Sequence, residues 1–488
     1  MLVIISDLHL NDGTTGTVLD PGAMDLFADR LCDLALRASW RADGRYEPVE
    51  QIDLVLLGDT LDLISSRQWL EDEVRPWSDH RAAGFPKTVS AIVDSILRRN
   101  VESVRRLRSL ATEAMITVPA ADASGQPILN EEELPLAVCT HYMVGNHDWP
   151  LHLPGREFDL IRHKVAHHLG LANLHNRPFP HDAAEGDELK ETLRRHRVAA
   201  RHGDIFDPLA FSEDRDASSI SDALQIELLG RFVARLEAEL ADALPPAASA
   251  ALAEITQIRP LLLVAAWMES TLERTLPNLA ARREIKHLWD DLVDQFLSLE
   301  IVGQRHERSP VDLIDGLAAA LKFSRRDSSD WTGKTLQWSA ALRGATSESY
   351  LPHALAENDF RNRRARHIVY GHTHHGEISL LDASHADGHV LQQTYFNAGS
   401  WRRVYRCTPA AMQPEFAGAE SLSLLAFYQG DERGGRAYES WSGTLAPINA
   451  EILVGQASAP AAAARGGLPP RAPHFAKSSR SAPARRGA

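Results

Sequence analysis

Five times along this 488-residue chain a short apolar run ends abruptly in a compact polar motif. Leu2 to Ile5 leads through Ser6 into Asp7-Leu8-His9. Leu54 to Leu57 leads through Gly58 to Asp59, with Asp62 three residues on. Tyr142 to Val144 leads through Gly145 into Asn146-His147-Asp148. Val198 to Ala200 leads through Arg201 into His202-Gly203-Asp204, and His367 to Tyr370 leads through Gly371 into His372-Thr373-His374. In layered α/β sheets, ligands gather beyond the carboxyl ends of parallel strands. If the five runs are such strands, all five motifs emerge at one edge, and residues far apart in sequence become neighbours.

The intervening segments fit that architecture. Met24 to Ala38, Val89 to Leu110 and Phe158 to Leu169 repeat apolar residues at helical spacing, while Ala137 to Val144 reads as a strand. This alternation predicts an α/β layered domain. From Ser219 to Leu355 the pattern is mainly helical, interrupted by Pro- and Ser-bearing stretches. Strand signals return at His367 to Tyr370, Leu391 to Phe396, Leu424 to Tyr428 and Tyr438 to Trp441. The expected organisation is a first part of the domain over 1–208, a helical insertion or cap over 209–364, a second part over 365–456, and a basic tail over 457–488. Past Ala459 the chain holds six Lys or Arg, no acid and few apolar residues. Such a segment cannot bury enough surface to fold and is expected to be disordered.

Charge narrows the partners. The net charge is −14 and the pI about 5.9, which argues against generic binding of nucleic acid or anionic membrane. Local phosphate binding stays open, because bound metal ions reverse the local field. Cys32, Cys139 and Cys407 are widely spaced and make no disulfide framework, which fits a reducing compartment. The first residues lack a basic, apolar leader, and the longest apolar stretch, Leu261 to Met268, is too short to span a bilayer. The expectation is a soluble, cytoplasmic protein without a transmembrane segment.

The motif residues share a chemistry. They offer carboxylates, imidazoles and one carboxamide but no thiolate, a set suited to Mn²⁺, Fe²⁺ or Zn²⁺. Asp7 and His9 are two apart, as are His372 and His374, so each pair projects from one face of an extended chain. The donors are too many for one tetrahedral site. Two metals about 3.5–4 Å apart need a shared ligand, and a carboxylate such as Asp59 can bridge them. Gly58, Gly145 and Gly371 stand beside these motifs, where glycine permits a sharp turn and close approach. Taken singly, Asp7 reads equally as a strand-end turn residue, Asn146 as a turn former and Asp62 as a helix N-cap. Asp148 reads as a brace for its loop, and Asp204 as structural.

In order, D-x-H, G-D-x-x-D, G-N-H-D, H-G-D and G-H-x-H resemble the calcineurin-like metallophosphoesterase family, over residues 1 to about 208 and again about 365 to 405. The resemblance implies a β-sandwich of two mixed sheets flanked by helices, here carrying a large helical insertion. It implies two divalent metal ions (Mn, Fe or Zn), one held by Asp7, His9, Asp59 and His374, the other by Asp59, Asn146, His202 and His372. A metal-bridging hydroxide would then attack phosphorus in line, His147 would protonate the leaving group or stabilise the transition state, and Asp62 would orient His147. The chain would be a metal-dependent hydrolase of a phosphomonoester, phosphodiester or pyrophosphate bond. The motif layout is closest to the branch that includes UDP-diacylglucosamine pyrophosphohydrolases, although that branch has G-N-R-D where this chain has G-N-H-D. Leu63 stands where serine/threonine protein phosphatases carry Arg.

The expected substrate is therefore a phosphorylated small molecule or a lipid-linked phosphate ester. Two alternatives stay open: a nuclease on the same centre, and a non-catalytic metal-binding interaction protein. For a nuclease the acidic balance is adverse, with Arg361, Arg363, Arg364 and Arg366 as a local basic strip. The insertion is flanked by His202 and His372 and is placed to cap the metal edge. Arg402 and Arg403, which follow Asn397 to Trp401, read equally as phosphate clamps and as surface strand residues. Oligomeric state is left open.

Overall fold

Apolar side chains on both faces drive the first runs into the interior as strands. The computed structural model describes residues 1–71, 73–129, 133–211, 213–240, 244–308, 313–323, 349–386, 389–408 and 415–444. The tail expected over 457–488 lies outside the described residues. In chain order the strands are β1 (Leu2–Ile5), β2 (Gln51–Leu57), β3 (Thr117–Val118), β4 (Leu134–Pro135), β5 (Ala137–Met143), β6 (Val198–Ala200), β7 (His367–Tyr370), β8 (Glu377–Ala386), β9 (His389–Asn397), β10 (Arg403–Thr408), β11 (Glu415–Glu420), β12 (Leu422–Phe427) and β13 (Tyr438–Gly443).

The protein is a mixed α/β structure. One sheet has the order β13-β12-β1-β2-β5, with β1, β2 and β5 parallel and β12 antiparallel to β1. A second has the order β6-β7-β9-β8, with β6, β7 and β9 parallel and β8 antiparallel. The five motif-bearing strands are thus divided between two sheets. β10 and β11 form a separate antiparallel ribbon.

Side-chain alternation explains the layering. Val3, Ile5, Leu54 and Leu56 face one way, into a core shared with the helices Pro21–Ala38, Gly84–Arg99, Val101–Thr112 and Arg156–Leu169. Leu2, Ile4, Val55 and Leu57 face the other way and meet Val198, Ala200, Val369 and Phe396 of the second sheet. On β7, Val369 points into that shared core while Ile368 and Tyr370 pack outward against Tyr350 and Ala354. Each buried Val, Leu, Ile or Phe among them contributes about 1.5–3 kcal/mol by leaving water. The two sheets are therefore held face to face, and the carboxyl ends of their parallel strands lie together.

Two features depart from the sequence pattern. The helical run over Val89 to Leu110 is two helices, Gly84–Arg99 and Val101–Thr112, broken at Asn100 with φ −107° and ψ 29°. The Asn100 amide donates to the carbonyls of Asn11 (2.7 Å) and Ile96 (2.8 Å). Asparagine competes with the helical ladder in this way, and the apolar period continues through the break. Secondly, the ribbon β10–β11 packs on the insertion rather than on the sheets. The insertion has its own core, including Leu228, Phe232, Trp267, Met268, Trp289 and Phe296, and Tyr405 and Phe416 rest against it. Residues from Tyr350 to Ala354 instead join the second sheet's outer face. Among the described residues no helix is long and apolar enough to cross a membrane.

At the start of β7, His367 lies under the rings of Phe396, Phe427 and Tyr438 at 5.6, 5.0 and 5.7 Å, with its Nδ1 unpartnered. Burial, aided by Arg366 and Arg197, pushes its pKa down to about 3. The unfolded chain takes up that proton near the ordinary value of about 6.5. Its neutral burial therefore stabilises fully above about pH 6.5, and the contribution is lost as pH falls toward the folded value. Urea unfolding at pH 7, 6, 5 and 4 should show stability falling less steeply in His367→Phe, by up to about 1.4 kcal/mol per pH unit below pH 6. Equal slopes would remove His367 as a source of acid lability.

Candidate metal centre

The loops beyond β1, β2, β5, β6 and β7 bring Asp7, His9, Asp59, Asp62, Asn146, His147, His202, His372 and His374 into one cluster. All are buried except His372, which is partly exposed. The backbone is strained to do so. Ten non-glycine residues have positive φ among the described residues, and five of them are Asp7 (56°), His9 (47°), Asp59 (50°), His372 (66°) and His374 (56°). Left-handed backbone costs an L-residue about 1–3 kcal/mol and persists where its surroundings enforce it.

Close approach of the loops requires missing side chains. A Cβ on Gly58 would collide with the His202 ring, 2.6 Å from Cγ, and one on Gly145 would lie 2.7 Å from His202 Cδ2 and against Asp59. A Cβ on Gly371 would lie 2.7 Å from Asp7 Oδ2.

Hydrogen bonds then aim the donor atoms. Asp7 Oδ2 accepts from Ser6 Oγ (2.6 Å) and from the His372 backbone N–H (3.1 Å). Its Oδ1 has no hydrogen-bond partner and faces His374 Nε2 (3.5 Å) and His9 Nε2 (3.7 Å). Asp59 Oδ1 accepts from the His147 backbone N–H (2.8 Å), while Oδ2 faces His202 Nε2 (3.2 Å) and His9 Nε2 (3.6 Å). His202 Nδ1 is satisfied by the Leu57 carbonyl at 3.0 Å, which directs Nε2 at Asp59. His372 Nδ1 meets Asn146 Oδ1 at 2.8 Å, and its Nε2 meets Asp207 Oδ2 at 3.1 Å. Asp62 Oδ1 binds His147 Nδ1 at 2.7 Å, while Oδ2 approaches His9 Nδ1 at 3.3 Å.

Two three-residue groups with converging ligand atoms result, Asp7–His9–His374 and Asp59–His202–His372, and a third, His9–Asp62–His147, adjoins them. Each can hold a metal ion. The first two fit a cation on independent grounds: Asp7 Oδ1, His9 Nε2 and His202 Nε2 are buried with no hydrogen-bond partner, a costly state that coordination would relieve. A single atom, Asp59 Oδ2, faces an imidazole from each group.

The buried carboxylates and imidazoles also set one another's protonation. Burial opposes ionisation of Asp59, yet the imidazoles of His202, His147 and His9 hold it below the usual carboxylate range. Asp62 is held low against burial, chiefly by His147. Burial disfavours the His147 imidazolium, but Asp62 and Asp59 lift it to about 9. His202 is lifted to about 10 against burial by Asp59 and Asp7. Burial, with Arg259 and His9, pushes His374 well down, leaving it neutral with an available lone pair.

The neighbouring candidates divide. Asp148 accepts from Thr60 N–H, Gly145 N–H and Tyr142 O–H, bracing its loop. Asp204 pairs with Arg215 at 2.9 Å. Arg402 reaches within 4.0 Å of Asp62, whereas Arg403 turns to Glu254 and Glu420. Residues at the site that escaped the motif reading include Asp207, Arg259, Tyr350, stacked on His372 at 6.2 Å, and Arg406, which donates to the His374 carbonyl at 2.8 Å. Asp207 lies three residues past H-G-D and could have been sought as the next acid. Arg259 and Tyr350 sit in segments whose pattern is only helical. Compared with models of known protein families and with curated proteins, the chain matches none.

Gly145→Ala would press a methyl group into Asp59 and His202. Overpacking of this kind costs about 1–3 kcal/mol, and displacing two ligand candidates should weaken Mn²⁺ affinity roughly 10- to 100-fold. Thermal unfolding and metal titration of the variant measure both. Wild-type affinity in Gly145→Ala would show that this approach does not shape the metal site.

Proposed function

We propose that this chain is a phosphoesterase that uses two divalent metal ions to hydrolyse a phosphorus–oxygen bond. The reading is carried by the convergence of three buried, unpartnered ligand atoms, Asp7 Oδ1, His9 Nε2 and His202 Nε2, around Asp59. Asp7, His9, Asp59 and His374 would hold one ion, and Asp59, Asn146, His202 and His372 the other. The N/O donor set supports Mn, Fe or Zn. Bound there, the ions would supply Lewis acidity toward the phosphoryl oxygens and a water acidified to near neutrality. The paired mixed sheets flanked by helices, and the order of the five motifs, support a metallophosphoesterase-type sandwich.

The chain's own groups then have distinct tasks. Asp62 engages His147 Nδ1, which leaves Nε2 as the ring nitrogen able to pass a proton to the leaving oxygen. The Asp62 carboxylate beside it favours the protonated form of the His147 ring. Asp62 also faces His9, so one carboxylate sets the orientation of both the acid and a metal ligand. The His147 backbone N–H to Asp59 ties the acid to the shared carboxylate. Leu209, Pro260, Leu261, Leu262 and Tyr350 wall the same pocket and limit access of bulk water.

Full-length protein with Mn²⁺ should hydrolyse p-nitrophenyl phosphate or bis-p-nitrophenyl phosphate. Asp59→Asn should lose metal and turnover together. His147→Ala should lower kcat by about 10²- to 10⁴-fold with metal content unchanged. Absence of turnover with Mn²⁺, Fe²⁺ and Zn²⁺ would favour a metal-binding scaffold, and cleavage confined to single-stranded DNA would favour a nuclease. Loss of metal in His147→Ala would remove it as the acid.

A further inference from the structure

The helical insertion sends one charged side chain to the metal edge. Arg259 lines the same pocket as Asp59, Asn146, His147, His372 and His374. Its Nη1 donates to the carbonyls of Thr256 (3.1 Å) and Ile258 (2.9 Å), which fixes the guanidinium without neutralising it. Among the described residues Arg259 makes no ion pair. Arg402, just before β10, has its nearest carboxylate oxygen, Asp62 Oδ2, 4.0 Å away. The two guanidiniums feel each other: burial first, then Arg402, bring Arg259 down to about 10.

Two half-buried like charges bordering one carboxylate cluster favour an anion beside them. The resident carboxylates answer this only while no cation is bound. Asp7, Asp59, Asp62 and Asp207 supply four negative charges to the cluster, and Arg259 and Arg402 two positive ones. Asp148 is spent on Thr60, Gly145 and Tyr142. Counting these fixed charges alone, two divalent ions would turn the balance from minus two to plus two. The loaded pocket is then complementary to a dianion.

We propose that Arg259 and Arg402 form an anion clamp that selects substrates carrying two negative charges, both on the reacting phosphate or shared with the phosphate next to it, over singly charged phosphodiesters. The chemistry is shared by a doubly ionised phosphomonoester and by a diphosphate. This inference rests on the phosphoesterase reading of the same pocket. Arginine suits the task because its planar fork meets two phosphate oxygens at once and stays charged when buried. Pro260, Leu261 and Leu262 follow Arg259 directly and line the pocket, so the segment that grips the phosphate also offers an apolar wall to the organic group it carries. The insertion thereby contributes selectivity as well as cover.

The test uses full-length protein loaded with Mn²⁺ and has two readouts. The first is thermal stabilisation by inorganic phosphate, which needs no turnover. Phosphate should raise the melting temperature of the wild type, and Arg259→Gln or Arg402→Gln should weaken its apparent affinity about tenfold or more. The second is the ratio of kcat/KM for p-nitrophenyl phosphate to that for bis-p-nitrophenyl phosphate, which should fall about tenfold in either variant. Arg259→Lys keeps the charge and should recover part of both effects, which separates charge from folding. A nucleoside diphosphate sugar run beside p-nitrophenyl phosphate assigns the source: the better substrate identifies diphosphate or monoester. Equal phosphate stabilisation of wild type and Arg259→Gln, or an unchanged ratio, overturns the clamp. Arg259-dependent phosphate binding without hydrolysis of any ester would sink the phosphoesterase reading alone. Hydrolysis without Arg259-dependent phosphate binding would sink the clamp alone.

Discussion

Three carboxylates, Asp7, Asp59 and Asp62, lie buried within one cluster, and confining that much like charge away from water is the constraint to which the surrounding structure responds. An isolated buried carboxylate is costly unless it is paired and hydrogen-bonded. Each of the three is answered differently. Asp7 takes a hydroxyl and a backbone N–H on one oxygen only. Asp59 takes one backbone N–H and the edge of two imidazoles. Asp62 takes two imidazoles outright. The pattern leaves Asp62 the best satisfied and Asp7 and Asp59 with oxygens facing ring nitrogens at distances too long for strong hydrogen bonds. A cation between those atoms would complete the arrangement, and a proton on His202 is its partial substitute.

The same constraint explains where backbone strain collects. Residues that must turn a side chain back across a strand end adopt left-handed φ, and Asp7, His9, Asp59, His372 and His374 all do. None is glycine, because each must carry a donor. The permissive residues stand beside them instead: Gly58, Gly145 and Gly371 leave room for the rings and carboxylates that cross between loops. Strain on the donors and space beside them are two halves of one solution, in which five loops from two sheets converge on a volume a few ångströms wide. The rigid, doubly buried β1 and β2 make that strain sustainable, since their packing against both layers resists relaxation.

Much of this was legible in the residues. Runs such as Leu2 to Ile5 and Val198 to Ala200 announce strands by being wholly apolar, and their polar sequels mark the edge where ligands gather. Periodicity could not reveal that the strands belong to two sheets, because Val55 and Val369 look alike in sequence whether their neighbour is a helix or another sheet. It could not reveal the break at Asn100, since the apolar period runs through it. Nor could it distinguish Arg402 from Arg403: adjacent residues at the start of a strand diverge, and only the fold decides that one faces Asp62 and the other Glu254. Arg259 is the sharpest case. It belongs to a segment with helical patterning and no motif, and its place at the cluster follows from how the insertion's separate core is docked.

The position of that insertion follows from topology. β6 and β7 are parallel neighbours, so the chain leaving β6 at His202 must cross back before it re-enters at His367. A parallel pair always needs such a crossover, and lengthening it adds little closure entropy. An insertion at this crossover starts beside the ligand candidate His202, at the carboxyl end of β6, and returns to the amino end of β7, so its first structured elements are delivered to the metal edge without disturbing either sheet. Its own core, built on Trp267, Trp289 and Phe296, lets it fold around itself, while Arg259 and the following Pro260 to Leu262 reach the pocket. Division of labour is the physical consequence: the loops of the sheets carry the donors that could bind metal, whose geometry tolerates little change, and the crossover lines the adjoining pocket with Arg259 and apolar side chains.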